Sequence, residues 1–169
     1  DLPSSSKNNL VIHELLMRIN QDGRIVSAYE FIEIAEARGL INTMDLMVIE
    51  KAFKEIQKTQ YEGILFINLS PKSLIMGDFI NKINNFVSKY NINKEKIVFE
   101  ITERETVKNF SLLEKFVHNL KADGYKFAID DFGSGFSSFH YIKKFPIDYV
   151  KIDGDFIINI NKDLKDKAF

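Results

Sequence analysis

The chain contains no cysteine. That excludes a disulfide framework, a thiolate metal site and a cysteine nucleophile, and it fits a cytoplasmic protein. No apolar run reaches the length needed to cross a bilayer. No low-complexity stretch and no internal linker interrupts the 169 residues. No surplus of charge of one sign exists either. The formal net charge is −1, so bulk electrostatics give no reason to expect a polyanionic partner, although a small anionic ligand remains compatible with it. The three histidines do not stand at zinc-ligand spacings.

What is present is a substantial apolar fraction, 45%, with 15 phenylalanines, enough for one ordinary domain with a buried core. The phenylalanines read as core rather than as a platform for stacking bases. Two periods alternate along the chain. Apolar runs predict strands in LVIHELLMRI (10–19), GILFINLS (63–70), KIVFEITE (96–103), KFAIDD (126–131) and DYVKID (148–153). Helical patterns fill the intervals. Ser27 with Glu30 has capping-box spacing ahead of FIEIAEARG. Met44, Met47, Val48, Phe53 and Ile56 are expected near one face of the next helix. Phe79, Ile83, Phe86, Val87 and Tyr90 repeat the pattern. Ser111 with Glu114 offers a second capping box, and Gly124 a stop. Strand and helix alternating at this spacing predict βαβ units and a largely parallel sheet. Residues 1–9 read as a flexible loop or tail.

The period of a strand is two, so charged residues inside apolar runs identify a face. Glu14, Leu16 and Arg18 share one parity in the first run. Asn68, Glu100, Asp130 and Lys151 each break a later run at a similar depth. In parallel neighbours these residues converge at one end of the sheet, the end where α/β folds place their sites. Glu14, Glu100, Asp130 and the adjacent Asp131 would bring four carboxylates together against the single cation of Lys151. Such a group repels itself or takes up protons unless a hard divalent cation compensates it. Oxygen-only ligands suit Mg²⁺ or Mn²⁺, and paired aspartates suit two ions and phosphoryl-oxygen chemistry. Each residue also has a plainer reading. Asn68 would serve a turn, DDFGSG a loop, Lys151 the surface, and Glu103 the cap of the helix after it.

In order and spacing, ELLMR, INLSPKSL, FEITE, IDDFGSGFSS and FPIDYVKIDGDFI resemble the EAL family of cyclic di-GMP phosphodiesterases. The resemblance runs from about Glu14 to the end. It implies a TIM-like (β/α)8 barrel, here incomplete with about five strands over residues 10–169. It implies bacterial second-messenger hydrolysis of cyclic di-GMP to linear pGpG with two Mg²⁺ or Mn²⁺ ions.

Carried over residue by residue, the resemblance gives Glu14, Asn68, Glu100 and Asp130 as metal ligands and Asp131 as the holder of the second ion. Glu14 and Lys151 are then catalytic, with Lys151 contacting the water near the metals. Leu16 and Arg18 contact substrate, Arg18 through a phosphate. Glu103, Gly133 and Gly135 support the loop beside Asp131. The resemblance also implies a homodimer through FHYIKKFP (139–146), and GGDEF or sensory domains elsewhere in a longer protein. The sequence departs from the family in reading E-L-L rather than E-A-L, and in having Ser27 and Ala28 where a proline is usual. A late glutamate and glutamine of the family have no counterpart here, so this stretch alone is expected to be inactive. The alternatives are a receptor that binds cyclic di-GMP without cleaving it, and a module that uses the fold structurally.

Overall fold

The structure, a computed structural model, describes residues 11–74, 77–134 and 145–159. Five parallel strands form one sheet: β1 (Ile12–Leu15), β4 (Ile64–Asn68), β5 (Ile97–Thr102), β6 (Lys126–Phe132) and β7 (Tyr149–Ile152), adjacent in that order. Each strand is added beside the one before it. Right-handed crossovers taken always in the same direction place every connecting helix on one face, and the sheet curls. A doubly wound sheet would reverse its order midway, and this one does not. The architecture is the wall of a TIM-like barrel, as expected, with five strands among the described residues. The expected tail over 1–9 lies outside them.

The two faces are visible in the packing. Leu65, Ile67, Ile97, Phe99, Ile101, Phe127 and Ile129 point outward and merge with the helices into one core. The helices contribute α2 (Ile41–Thr59) through Ile49 and Phe53, α4 (Phe79–Tyr90) through Phe79, Ile83 and Val87, and α6 (Phe110–Ala122) through Leu113, Val117 and Leu120. Residues of opposite parity, Ile64, Phe66, Val98 and Ala128, form a small second cluster on the concave face, with Tyr149 against it. Counting two residues further along the same strands reaches Asn68, Glu100, Asp130 and Lys151. The site is the continuation of that inner layer.

Three expectations are corrected. Residues 10–19 are not one strand. β1 ends at Leu15, and Arg18–Gln21 (β2) pairs antiparallel with Arg24–Ser27 (β3) in a separate hairpin. Its two-residue turn puts Asp22 and Gly23 at positive φ, the arrangement a tight hairpin demands. Leu16 and Arg18 therefore do not share a strand face with Glu14.

Met47 is 61% exposed, and α2 instead buries Ile41, Asp45, Ile49 and Phe53, a strict four-residue spacing that the sequence disguises with an aspartate. Ser111 lies inside α6, whose cap is Asn109, so Ser111 and Glu114 form no capping box. The first capping box does form. Glu30 Oε1 accepts the Ser27 amide at 3.2 Å as α1 (Ala28–Ala37) begins. Gly124 ends α6 with φ +93.

Candidate metal centre and adjoining pocket

Five parallel strands deliver the site. Register alone would stagger its residues, since Asn68 stands opposite Glu100 but Asp130 stands opposite Thr102. The tilt of strands in a barrel wall offsets that stagger and brings the side chains level. The carboxylates of Glu14, Glu100 and Asp130 converge, with a ligand oxygen from each lying within 4.8 Å of the others. Lys151 Nζ sits among them, 3.2 Å from Glu14 Oε2, 3.0 Å from Glu100 Oε2 and 3.1 Å from Asp130 Oδ2. Asn68 Nδ2 donates to Glu14 Oε1 at 2.8 Å.

Glu100 is the deepest member, with no exposed surface. Lys151 is near enough for an ion pair, but it is not aligned as a directed hydrogen bond, and neither carboxylate oxygen of Glu100 has a hydrogen-bond partner. Burial pushes its carboxyl up to about 7, against the pull of Lys151 and with help from Asp130 and Glu14. Burial also works against the charge of Lys151, yet Glu100 and Asp130 outweigh it and raise that pKa above the ordinary lysine range. A buried carboxylate with two unpartnered oxygens is costly unless something positive meets it. An oxygen donor set of this kind fits a hard divalent cation.

Asp131 stands outside this converging group. Between the pairs Ile129–Val150 and Phe132–Ile152, β6 carries two residues and β7 one. Asp130 and Asp131 are thus a β-bulge opposite Lys151, a device that re-aims side chains beside functional sites. Asp131 takes φ +53 and its amide donates to Asp130 Oδ1 at 2.9 Å. Partial burial, then Asp130 and Asp153, raise its carboxyl above the usual range. The turn continues through Gly133 at φ +98. Glu103 opens the short helix α5 (Glu103–Lys108) and is fully buried. Its Oε2 accepts the Gly133 amide at 3.0 Å, tying the end of β5 to the turn after Asp131. Gly135 lies outside the described residues, as does most of the segment expected to pair in a dimer.

Beside the carboxylates opens a cavity of about 510 Å³, lined by Leu16, Arg18 and Asn68 on the near side. Leu16 is 52% exposed, and Arg18 Nη1 donates to the Met17 carbonyl at 2.8 Å. The far wall holds polar residues that the sequence did not single out. Asp45, 5% exposed, accepts from Ser73 Oγ at 2.6 Å, while Glu36 accepts from Ser70 Oγ at 3.0 Å and from Lys72 Nζ at 2.7 Å. Burial pushes the Asp45 carboxyl up to about 6, although Ser73 and the Ser70 amide hold it down. The available signal was an aspartate in register with Ile41, Ile49 and Phe53.

This geometry has close relatives. The chain is 36% identical over 171 residues to the cyclic di-GMP phosphodiesterase PdeB of Shewanella oneidensis, covering 99% of this chain and 20% of that protein. It is 36% identical over 152 residues to the cyclic di-GMP phosphodiesterase PdeA of Borreliella burgdorferi, covering 88% and 23%. The EAL enzyme Bd1971, solved in its cAMP- and cyclic-di-GMP-bound form, superposes with a TM-score of 0.82 at 28% identity, over 96% of this chain and 46% of that one. The chain thus spans roughly a fifth of the length of these curated relatives. The family profile of the EAL domain matches residues 4–169, and the chain belongs to the EAL domain family.

Proposed function

We propose that this chain forms the catalytic part of a phosphodiesterase that hydrolyses cyclic di-GMP to linear pGpG with the help of Mg²⁺ or Mn²⁺. The observation that carries the reading is the buried Glu100 carboxylate, without a directed donor on either oxygen, meeting Glu14 and Asp130 at the C-terminal ends of parallel strands. Relatives named cyclic di-GMP phosphodiesterases supply the substrate class.

In this reading Glu14, Asn68, Glu100 and Asp130 hold one ion, and Asp131, turned outward by the bulge, serves a second. When bound, such ions supply an acidified water and polarise a phosphoryl oxygen. Lys151 hydrogen-bonds the attacking water from among the carboxylates. Arg18 binds a substrate phosphate with a charge-assisted pair, which fixes the diester beside the ligands. Leu16 gives the ligand an apolar surface at the mouth of the cavity. Glu103 and Gly133, with Gly135, keep the turn after Asp131 in place. Pairing through 139–146 and attached GGDEF or sensory domains belong to the same proposal, at the level of the full protein.

Chromatographic analysis of products from the full-length protein with Mn²⁺ tests it. Accumulation of pGpG is the expected result. Tight nucleotide binding without pGpG over many hours overturns the enzyme and leaves a receptor.

A further inference from the structure

Asn68 carries a demand that the carboxylates of the centre do not. Its amide has two unlike ends, and only the oxygen is a ligand for an ion. The nitrogen is committed to Glu14, with Nδ2 donating to Oε1 at 2.8 Å, which leaves the oxygen for an ion. Asn68 is also exposed and is the last residue of β4. The chain that follows it therefore decides whether this orientation is kept.

That chain is held at each step. Leu69 is buried, and its amide donates to the Glu100 carbonyl at 3.0 Å, one bond beyond the end of the strand. Ser70 comes next. Its Oγ accepts the Lys72 amide at 3.3 Å and its carbonyl accepts the Ser73 amide at 2.9 Å, which opens the short helix α3 (Pro71–Leu74). The Ser70 amide donates to Asp45 on α2. The Ser70 hydroxyl donates to Glu36 Oε1 on α1 at 3.0 Å. Glu36 Oε2 accepts from Lys72 Nζ at 2.7 Å, so both oxygens of one carboxylate grip the same turn. The Glu36 side chain is only 28% exposed, which limits the competition from water for these bonds.

We infer that Glu36 is a positioning residue for Asn68: by holding Ser70 Oγ it fixes the end of β4 against α1 and keeps the Asn68 amide with its nitrogen on Glu14 and its oxygen free for the ion. A group that orients a ligand in this way tunes affinity for the ion without touching it. The inference rests on reading the carboxylate cluster as a metal site.

The test is Mn²⁺ binding to the full-length protein without nucleotide, read from the electron paramagnetic resonance signal of free Mn²⁺. Glu36→Ala should weaken the dissociation constant by about tenfold, the usual scale for losing a group that orients a ligand. Ser70→Ala, which changes no charge, should weaken it to a similar extent. The double variant should be no worse than the weaker single one by more than about twofold, because both changes break the same bond. Glu33→Ala, which removes an exposed glutamate from the same helix, should alter binding by less than about threefold. Wild-type affinity in Glu36→Ala overturns the inference. So does a double variant in which the two losses multiply, since the residues would then act independently. If Glu36→Ala does not fold, Ser70→Ala decides. The side-chain amide NMR signals of Asn68 in metal-free protein give a reading that needs no ion. They should move in Glu36→Ala and in Ser70→Ala and stay in place in Glu33→Ala, and signals unmoved in all three overturn the inference. Failure of the wild type to bind Mn²⁺ removes the metal-site reading, and the Asn68 signals then decide the positioning role on their own.

Discussion

Asp131 occupies a left-handed backbone conformation (φ +53) that most side chains resist. Aspartate tolerates it better than β-branched or bulky residues, and so a side chain with metal-ligand chemistry and a strained bulge coincide at one position. The strain has a measurable signature. Asp131→Gly should be more stable than Asp131→Ala by about 1 kcal/mol, since alanine keeps the Cβ penalty and glycine does not. Urea unfolding of the two variants measures the difference. Equal stabilities would mean the bulge relaxes when the carboxylate is gone.

Asp45 makes a second case. Its folded pKa of about 6 lies above the value of 3.8 expected for an open chain, so the folded state holds the proton more tightly. The resulting stabilisation is complete below about pH 4 and is lost as pH rises to about 6, roughly 3 kcal/mol at 1.36 kcal/mol per unit. Asp45→Asn keeps an acceptor for Ser73 without the charge, so the part of the pH 4–6 stability slope due to this residue should vanish. An unchanged slope by urea titration would show that Asp45 ionises freely in the fold.

At the scale of elements, the strands that build the sheet were legible because each is an apolar run of strand length, and the inner face because five polar residues interrupt those runs in phase. Glu14, Asn68, Glu100, Asp130 and Lys151 needed only the period of two. The hairpin was not legible that way. Its strands continue the apolar pattern of β1, and only Asp22-Gly23 marks the reversal. The bulge was equally hidden, because two adjacent aspartates read as a loop until the register of β7 is known. The stripe of α2 misled because a buried aspartate and an exposed methionine, Asp45 and Met47, invert the usual rule.

Connections between elements can also be exacting. Gly63 precedes β4 where Tyr61 folds back to donate to the Ile64 carbonyl at 3.2 Å and to contact His13 Nδ1 at 2.8 Å. A Cβ at Gly63 would collide with the Tyr61 phenol and come within 2.6 Å of the Val11 carbonyl. Gly63→Ala should therefore cost about 1–3 kcal/mol by overpacking, read as a lower denaturation midpoint at unchanged m-value. Moving Tyr61 out of the way would break the tie to β1, so substituting Tyr61 by Phe as well should recover only part of the loss.

Across the whole molecule, one face of the sheet supplies stability and the other spends some of it. The outer face joins the helices in a continuous apolar core. The inner face ends in carboxylates gathered around a single lysine, with the fully buried Glu100 meeting only the Lys151 ammonium, 3.0 Å from its Oε2. Replacing Glu100 by Gln removes a buried charge while Lys151 keeps Glu14 and Asp130 at 3.2 and 3.1 Å. Breaking a buried ion pair usually costs stability, but here the ammonium retains two partners, so the desolvation of the lost carboxylate dominates. Glu100→Gln should accordingly be more stable than wild type by about 1–3 kcal/mol in the presence of a chelator. The ranking should reverse with metal. Mn²⁺ at a hundred times its dissociation constant stabilises the wild type by about 2.7 kcal/mol through mass action, and it should do little for a variant lacking the deepest ligand. Thermal denaturation of both proteins, with chelator and with Mn²⁺, gives the four values needed. A Glu100→Gln protein that melts lower than wild type under both conditions would mean the carboxylate serves the fold rather than an ion.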